Sequence, residues 1–259
     1  MATQAIIKVG ITGAEGNIGS TLRDGLSDQY QIRSFTLDSH YFLSTVADLT
    51  DAEAIKGIFE GLDAVIHLAG EPSPRAAWDS VLNNNIVATY NVFEEARRAG
   101  VKKIVFATTN HTQHGGTMKD MSPEQLNLDL RVMHRLQDPP HPDSLYAVSK
   151  LFGEDLGRYY ATAYGIQVVA LRIGATFQAD NPTIFRGKPS EAYIRAMFLS
   201  KRDCVQAFTR ALEVETDFTT AYAVSNNDRR IFDLRETQEK LNFFPEDNAE
   251  DYYEETINE

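Results

Sequence analysis

The chain reads as a doubly wound parallel α/β sheet with a small C-terminal cap, and three observations predict this. A buried-strand pattern runs straight into a glycine triplet and then a helix at the N-terminus. Strand and helix patterns alternate from there to Gly174. Beyond Gly174 the alternation loosens, with no internal repeat and no linker, so residues 1–174 read as a core and 175–259 as a cap folded onto it in one compact unit.

Ala5-Ile6-Ile7-Lys8-Val9-Gly10-Ile11-Thr12 is the first strand, apolar enough to be buried on both faces. Gly13, Gly16 and Gly19 follow with spacing G-x-x-G-x-x-G before the helix Ser20–Leu26. Gly13 suits a tight turn, Gly16 lets backbone approach a pyrophosphate, and Gly19 lets helix and strand pack closely. The N–H groups at Asn17 and Ile18 then face an anion. A triplet by itself is a weak signal. Lodged between strand and helix, it points to a dinucleotide.

Gln31–Asp38 is the second strand, and an acid at its end, Asp38, would take the ribose 2′-OH of NAD. A register two residues shorter puts Thr36 there instead and leaves room for the extra phosphate of NADP. Val46–Asp51 ends a short strand, and Asp51 caps a helix expected around Ala52–Glu60; Asp48 is either an adenine ligand or a cap. The fourth strand, Asp63–Gly70, ends in the small residues Ala69 and Gly70 after Leu68, so a cofactor lies against backbone there. Ala77–Arg98 is a long amphipathic helix carrying Asn83-Asn84-Asn85. Lys102–Ala107 is the fifth strand and delivers Thr108, Thr109, Asn110 and His111 to the carboxyl edge, where ligands of such sheets sit. A long connection follows, with a short helix expected at Ser122–Arg135. His111 and His114 lack an acid or cysteine at ligand spacing, so no metal is expected.

Pro139–Ser144 stops any helix, and Asp143 or Ser144 caps a new one over Tyr146–Tyr164. Tyr146 and Lys150, four apart, then stack on one face. A free phenol has a pKa of about 10 and is a poor base at neutral pH. A nearby ammonium lowers it, and a tuned tyrosine then removes a hydroxyl proton while a hydride leaves the same carbon. Gln167–Gly174 is the sixth strand. Glu191–Leu199 and Arg202–Leu212 are helices, Cys204 faces inward, Thr219–Val224 is a strand, Leu234–Leu241 a last helix, and the acidic tail Glu246–Glu259 a solvated end.

Composition narrows the function. A net charge of −12 argues against a nucleic-acid surface. The single Cys204 excludes an internal disulfide and suits a reducing, cytoplasmic setting. No apolar run approaches the ~20 residues that span a bilayer, and Met1-Ala2-Thr3-Gln4 runs straight into a strand rather than a leader peptide.

Together, the glycine triplet, His67-Leu68-Ala69-Gly70, Asn84-Asn85 and Tyr146–Lys150 resemble the extended short-chain dehydrogenase/reductases over nearly the whole chain. Phe106-Ala107-Thr108-Thr109-Asn110-His111, Ala77–Leu82, Leu171–Gly174, Leu199–Cys204 and Asn226–Arg230 are similar to the uronate dehydrogenase and archaeal NAD-dependent glucose-6-phosphate dehydrogenase group. The resemblance implies a Rossmann-like fold and NAD-dependent, or NADP-dependent, oxidation of C1 of a cyclic sugar to the lactone. It implies Thr109, Tyr146 and Lys150 as the catalytic set, with Thr109 where the group usually has serine. Leu49, Asn85, Thr108 and Ile173 join the cofactor site. Ser73, Arg75, Asn110 and His111 line the sugar site, with Arg186 or Arg195 as partner to a C6 anion. A dimer through the helices Ala77–Arg98 and Tyr146–Tyr164 is also implied. Two rivals stay open: a nucleotide-sugar epimerase or dehydratase, for which the stretch after Gly174 is short, and a non-catalytic NAD(P)-sensing regulator on the same fold.

Overall fold

A computed structural model describes residues 6–38, 44–113, 115 and 133–255. Seven parallel strands stand in the order β3-β2-β1-β4-β5-β6-β7. They are β1 (Lys8–Thr12), β2 (Gln31–Thr36), β3 (Thr45–Val46), β4 (Ala64–His67), β5 (Lys103–Thr109), β6 (Gln167–Ile173) and β7 (Phe218–Ala223). The winding reverses between β1 and β4, paired through Val9↔Ala64 to Thr12↔His67, which opens a crevice at the carboxyl edge.

Helices cover both faces, as two-sided burial of β1, β4, β5 and β6 requires. On one face Val9, Ile11, Ile66, Val105 and Leu171 pack against α1 (Asn17–Leu26) and α6 (Lys201–Glu213), with Cys204 fully inside. On the other, Val65, Ile104, Phe106 and Val168 meet α3 (Ala88–Arg98) and α4 (Leu145–Tyr164). Between α3 and its leading turn α2 (Trp78–Val81), residues Leu82–Val87 widen into a π-helical turn. The expected Ala77–Arg98 helix is therefore continuous but carries an extra residue at its asparagine run. Ser144, not Asp143, caps α4, its Oγ accepting from the Ala147 N–H at 3.2 Å.

Three expectations change. Residues 52–61 form successive tight turns rather than a helix, because Gly57 and Gly61 sit at φ +76° and +75°. Asp51 still caps them, its Oδ1 accepting from the N–H groups of Glu53 and Ala54. The helix expected at Ser122–Arg135 falls almost wholly outside the described residues, as does His114. At its end His134 is in a β-bridge to Phe232, not a helix.

The stretch 175–259 is less separate than expected, since β7 and α6 belong to the sheet and its covering layer. The remainder, α5 (Glu191–Met197), α7 (Arg235–Leu241) and α8 (Ala249–Glu255), includes the expected solvated tail. Its described part, residues 246–255, is docked. The Glu246 and Asp247 N–H groups donate to the buried Asp203 carboxylate at 2.8 and 3.0 Å, and Ala249 and Tyr253 are buried.

Candidate active site

The crevice holds a cleft of about 730 Å³. Its floor is the glycine turn. Gly13 adopts φ +69°, and a Cβ there would lie 2.9 Å from the Ala69 nitrogen. A Cβ on Gly19 would strike the Gly13 carbonyl at 2.2 Å. No side chain caps α1, so its first-turn N–H groups at Asn17 and Ile18 face the cleft as an anion site. This main-chain cradle fits a dinucleotide pyrophosphate, because any side chain at these glycines would fill or distort it.

The neighbouring loop is set from below. His67, fully buried, bonds Thr12 Oγ1 through Nδ1 at 2.8 Å and Thr89 Oγ1 through Nε2 at 3.1 Å. Thr12 Oγ1 in turn accepts from the Leu68 and Ala69 N–H groups. Burial, reinforced by the Lys150 charge, pushes the His67 pKa down to about 3, so the ring is neutral. Asn85 is buried by the π turn and does not line the cleft. Its Oδ1 accepts from the Glu71 N–H at 2.7 Å, and its Nδ2 donates to the Glu71 carbonyl and to Ser149 Oγ at 3.0 Å. It ties the loop after Gly70 to α4, one residue before Lys150.

At the wall formed by β5 and α4, Thr109, Tyr146 and Lys150 converge on the cleft. The Tyr146 hydroxyl and the Thr109 side chain face the same part of the cleft. Lys150 donates to the Ala107 carbonyl at 3.0 Å, with Nζ over the Tyr146 ring at 5.8 Å. The expected depression of the phenol by Lys150 is not what this geometry gives. Burial raises the Tyr146 pKa, opposed by the Thr109 side chain and aided by the Asp143 charge. Burial lowers Lys150 to about 8. The reason is placement: the ammonium sits over the ring and is anchored to a carbonyl.

Thr109 leads into Asn110 and His111. His111 Nδ1 lies 2.6 Å from an Asp143 carboxylate oxygen, so Nδ1 is the nitrogen that donates there. Asn110 donates to the Tyr193 hydroxyl at 3.1 Å, and that hydroxyl meets His111 Nε2 at 3.4 Å. Tyr193, on α5, lines the cleft although nothing in its sequence surroundings marks it; Glu71 lines it too. Asp143 offered only a capping signal, and its role as the partner of His111 appears only in three dimensions.

Gly13, Gly16, Asn17, Ile18, Asp48, Leu49, Leu68, Ala69, Gly70, Thr108 and Ile173 line the cleft as expected positions require. Asp48 is also a local cap, its Oδ1 accepting from Thr50 N and Oγ1. Others lie elsewhere. β2 stops at Thr36, so Thr36 and Leu37 reach the cleft and Asp38 is exposed beyond them. Ser73 Oγ accepts from the Arg75 N–H in a surface turn, and neither residue lines the cleft. Arg186 donates to the Tyr253 carbonyl at 3.0 Å. Arg195 pairs with Glu191 and Glu250. The docked α8 holds both arginines away from the cleft, a correction to their expected role.

Comparison with known proteins follows the same lines. The profile of the NAD dependent epimerase/dehydratase family matches residues 9–219. L-arabinose 1-dehydrogenase (NAD(P)(+)) of Haloferax volcanii is 40% identical over 251 residues, covering 93% of this chain and 97% of its own. NAD-dependent glucose-6-phosphate dehydrogenase of the same organism is 35% identical over 255 residues, covering 93% and 94%. The crystal structure of uronate dehydrogenase from Agrobacterium tumefaciens superposes with a TM-score of 0.80 at 26% identity, over 98% of this chain and 90% of that one. With the glycine cradle at the strand-order switch and the match spanning most of the sheet, the chain belongs to the NAD dependent epimerase/dehydratase family.

Proposed function

We propose that the protein is an NAD(P)-dependent aldose 1-dehydrogenase that oxidises C1 of a cyclic sugar to the lactone. The observation that carries this reading is the convergence of Tyr146, Thr109 and Lys150 on the cleft that the glycine turn floors. When bound, the cofactor supplies the hydride acceptor. Gly13, Gly16 and the start of α1 hold its pyrophosphate, and Leu68–Gly70 and Ile173 flank the redox end. Tyr146 takes the C1 hydroxyl proton as that carbon is oxidised. Thr109, on the same wall as the phenol, orients the reacting oxygen. Lys150, anchored to the Ala107 carbonyl, meets the nicotinamide ribose. Asn110, His111 and Tyr193 receive sugar hydroxyls.

Both nicotinamide cofactors are accepted in this reading. β2 ends at Thr36, so Asp38 stays out of the cleft, and the Asp48 carboxylate at that end is engaged by Thr50 N and Oγ1. Trp78, Tyr90, Val148 and Tyr159 are exposed on α2, α3 and α4 and support a homodimer through those helices; a monomeric mass by light scattering would reject it. The lone buried Cys204 supports a cytoplasmic location, which fractionation of the source cells would test.

The test is a panel of aldoses, hexose phosphates and uronates with NAD and NADP, followed at 340 nm. Sugar-dependent reduction is expected, and Tyr146→Phe is expected to lower kcat by about 10²–10⁴-fold while cofactor still binds. No reduction with any sugar, or full activity in Tyr146→Phe, rejects the reading. A nucleotide-sugar epimerase is less favoured, because the described site offers no second lobe for a nucleotide; turnover of a UDP-sugar would restore it.

A further inference from the structure

We infer that the sugar is neutral: an aldose without a phosphate or carboxylate. This rests on the dehydrogenase reading and narrows it. Where the sugar ring meets Tyr146, the described wall consists of Asn110, His111, Tyr193 and Glu71. These are hydroxyl partners, and two carboxylates stand among them. Asp143 sits behind His111 at 2.6 Å, and Glu71 is fixed by the Ser73 N–H and Ser80 Oγ at 3.0 Å each. Lys150 is the only lysine or arginine lining the cleft among the described residues, and it is bound to the Ala107 carbonyl. A sugar anion would enter a field of its own sign with no guanidinium to meet it.

The cap's arginines cannot supply one, for a geometric reason. Tyr193 and Arg195 are two apart on α5, roughly 200° around the helix axis. With Tyr193 in the cleft, Arg195 faces the opposite way, into α8. There Glu250 accepts from Arg195 Nε at 3.0 Å and from Arg229 Nε at 2.7 Å. The Tyr253 ring carries Arg195 at 4.2 Å and Arg186 at 5.0 Å. The C-terminal helix thus provides internally the anion and the aromatic face that these guanidiniums would otherwise offer to a substrate.

D-Glucose, D-glucose 6-phosphate and D-glucuronate present the same C1 chemistry and differ only at C6. kcat/KM for each, with L-arabinose and D-xylose as smaller neutral sugars, tests the inference on the wild-type protein. The best neutral sugar is expected to exceed both anions by about ten-fold or more, and added salt to narrow that gap as it screens like charges. Arg195→Met is expected to leave the glucose to glucose 6-phosphate ratio within about two-fold; the wild-type panel stands if that variant does not fold. Either anion matching or exceeding every neutral sugar overturns the inference alone, and means that a cation from outside the described residues reaches the cleft. No turnover of any sugar rejects the dehydrogenase reading and this inference together.

Discussion

The two ends of the cleft are built by opposite means. The glycine-turn end is main chain: a left-handed residue, an uncapped helix start and the backbone of residues 68–70. It works by the absence of side chains, and its left-handed turn and helix start lie within one short segment, Gly13–Gly19. The tyrosine end is side chain on side chain. Asp143 holds His111, Asn110 holds Tyr193, and the His111 ring meets the Tyr146 ring edge to face. Its members come from β5, α4, α5 and the turn before α4. Local sequence can dictate the first kind of site, whereas the second exists only after distant elements have docked.

The comparison is most exposed at Gly19. A valine there would drive its Cβ to within 2.2 Å of the Gly13 carbonyl and 2.7 Å of the Ala14 Cα. Neither is the end of a flexible side chain, so α1 must move. Gly19→Val is expected to weaken cofactor binding by ~100-fold or more and destabilise the fold by about 1–3 kcal/mol. Fluorescence titration and thermal melts measure both, and near-normal cofactor affinity would break the claim that backbone spacing makes this end.

Asn85 joins the two ends, and its removal separates them. Asn85→Ala leaves the Glu71 N–H and Ser149 Oγ short of a buried partner, a cost of about 1–3 kcal/mol. An approximately ten-fold loss in kcat/KM is expected with a smaller change in cofactor affinity, since the glycine turn is untouched. Equal losses in both would show that the ends are not independent.

The smallest effect is a pH slope. His67 has its pKa lowered to about 3 from 6.5, so the unfolded chain binds a proton that the folded chain refuses between those values. Stability therefore falls as pH drops from about 6.5 toward 3. His134, also lowered by burial, acts in the same direction. Lys150, lowered to about 8, acts with the same sign at higher pH: the cost of its buried ammonium is relieved as pH rises from about 8 toward 10.5. Melting temperature is expected to drop by a few degrees between pH 7 and 5 and to drop less in His67→Gln, which retains hydrogen-bonding capacity toward Thr12. An identical slope in the variant would mean that His67 is solvated in the fold.

Much of the fold was legible because alternation and glycine punctuation are local. Residues 52–61 misled because the Asp51 cap is real but the turns it opens pass through two left-handed glycines, Gly57 and Gly61. Of the two registers left open for the second strand, the structure has the shorter, ending at Thr36. For Arg186 and Arg195 the residue type was right for an anion, but the anion is Glu250 of the same chain and the other partner is the Tyr253 carbonyl. The π turn that buries Asn85 left no mark beyond three successive asparagines.

By itself the sequence determined the parallel sheet, the position of its crevice, the glycine cradle and the Tyr146–Lys150 pair, because each follows from hydrophobic period, steric freedom or four-residue helical spacing. Only the tertiary structure decided that Asp143 pairs with His111, that Tyr193 lines the cleft, and that an acidic C-terminal helix engages the cap's arginines. Those are properties of charges and hydrogen-bond partners brought together from far apart in the chain, and no local pattern encodes such a meeting.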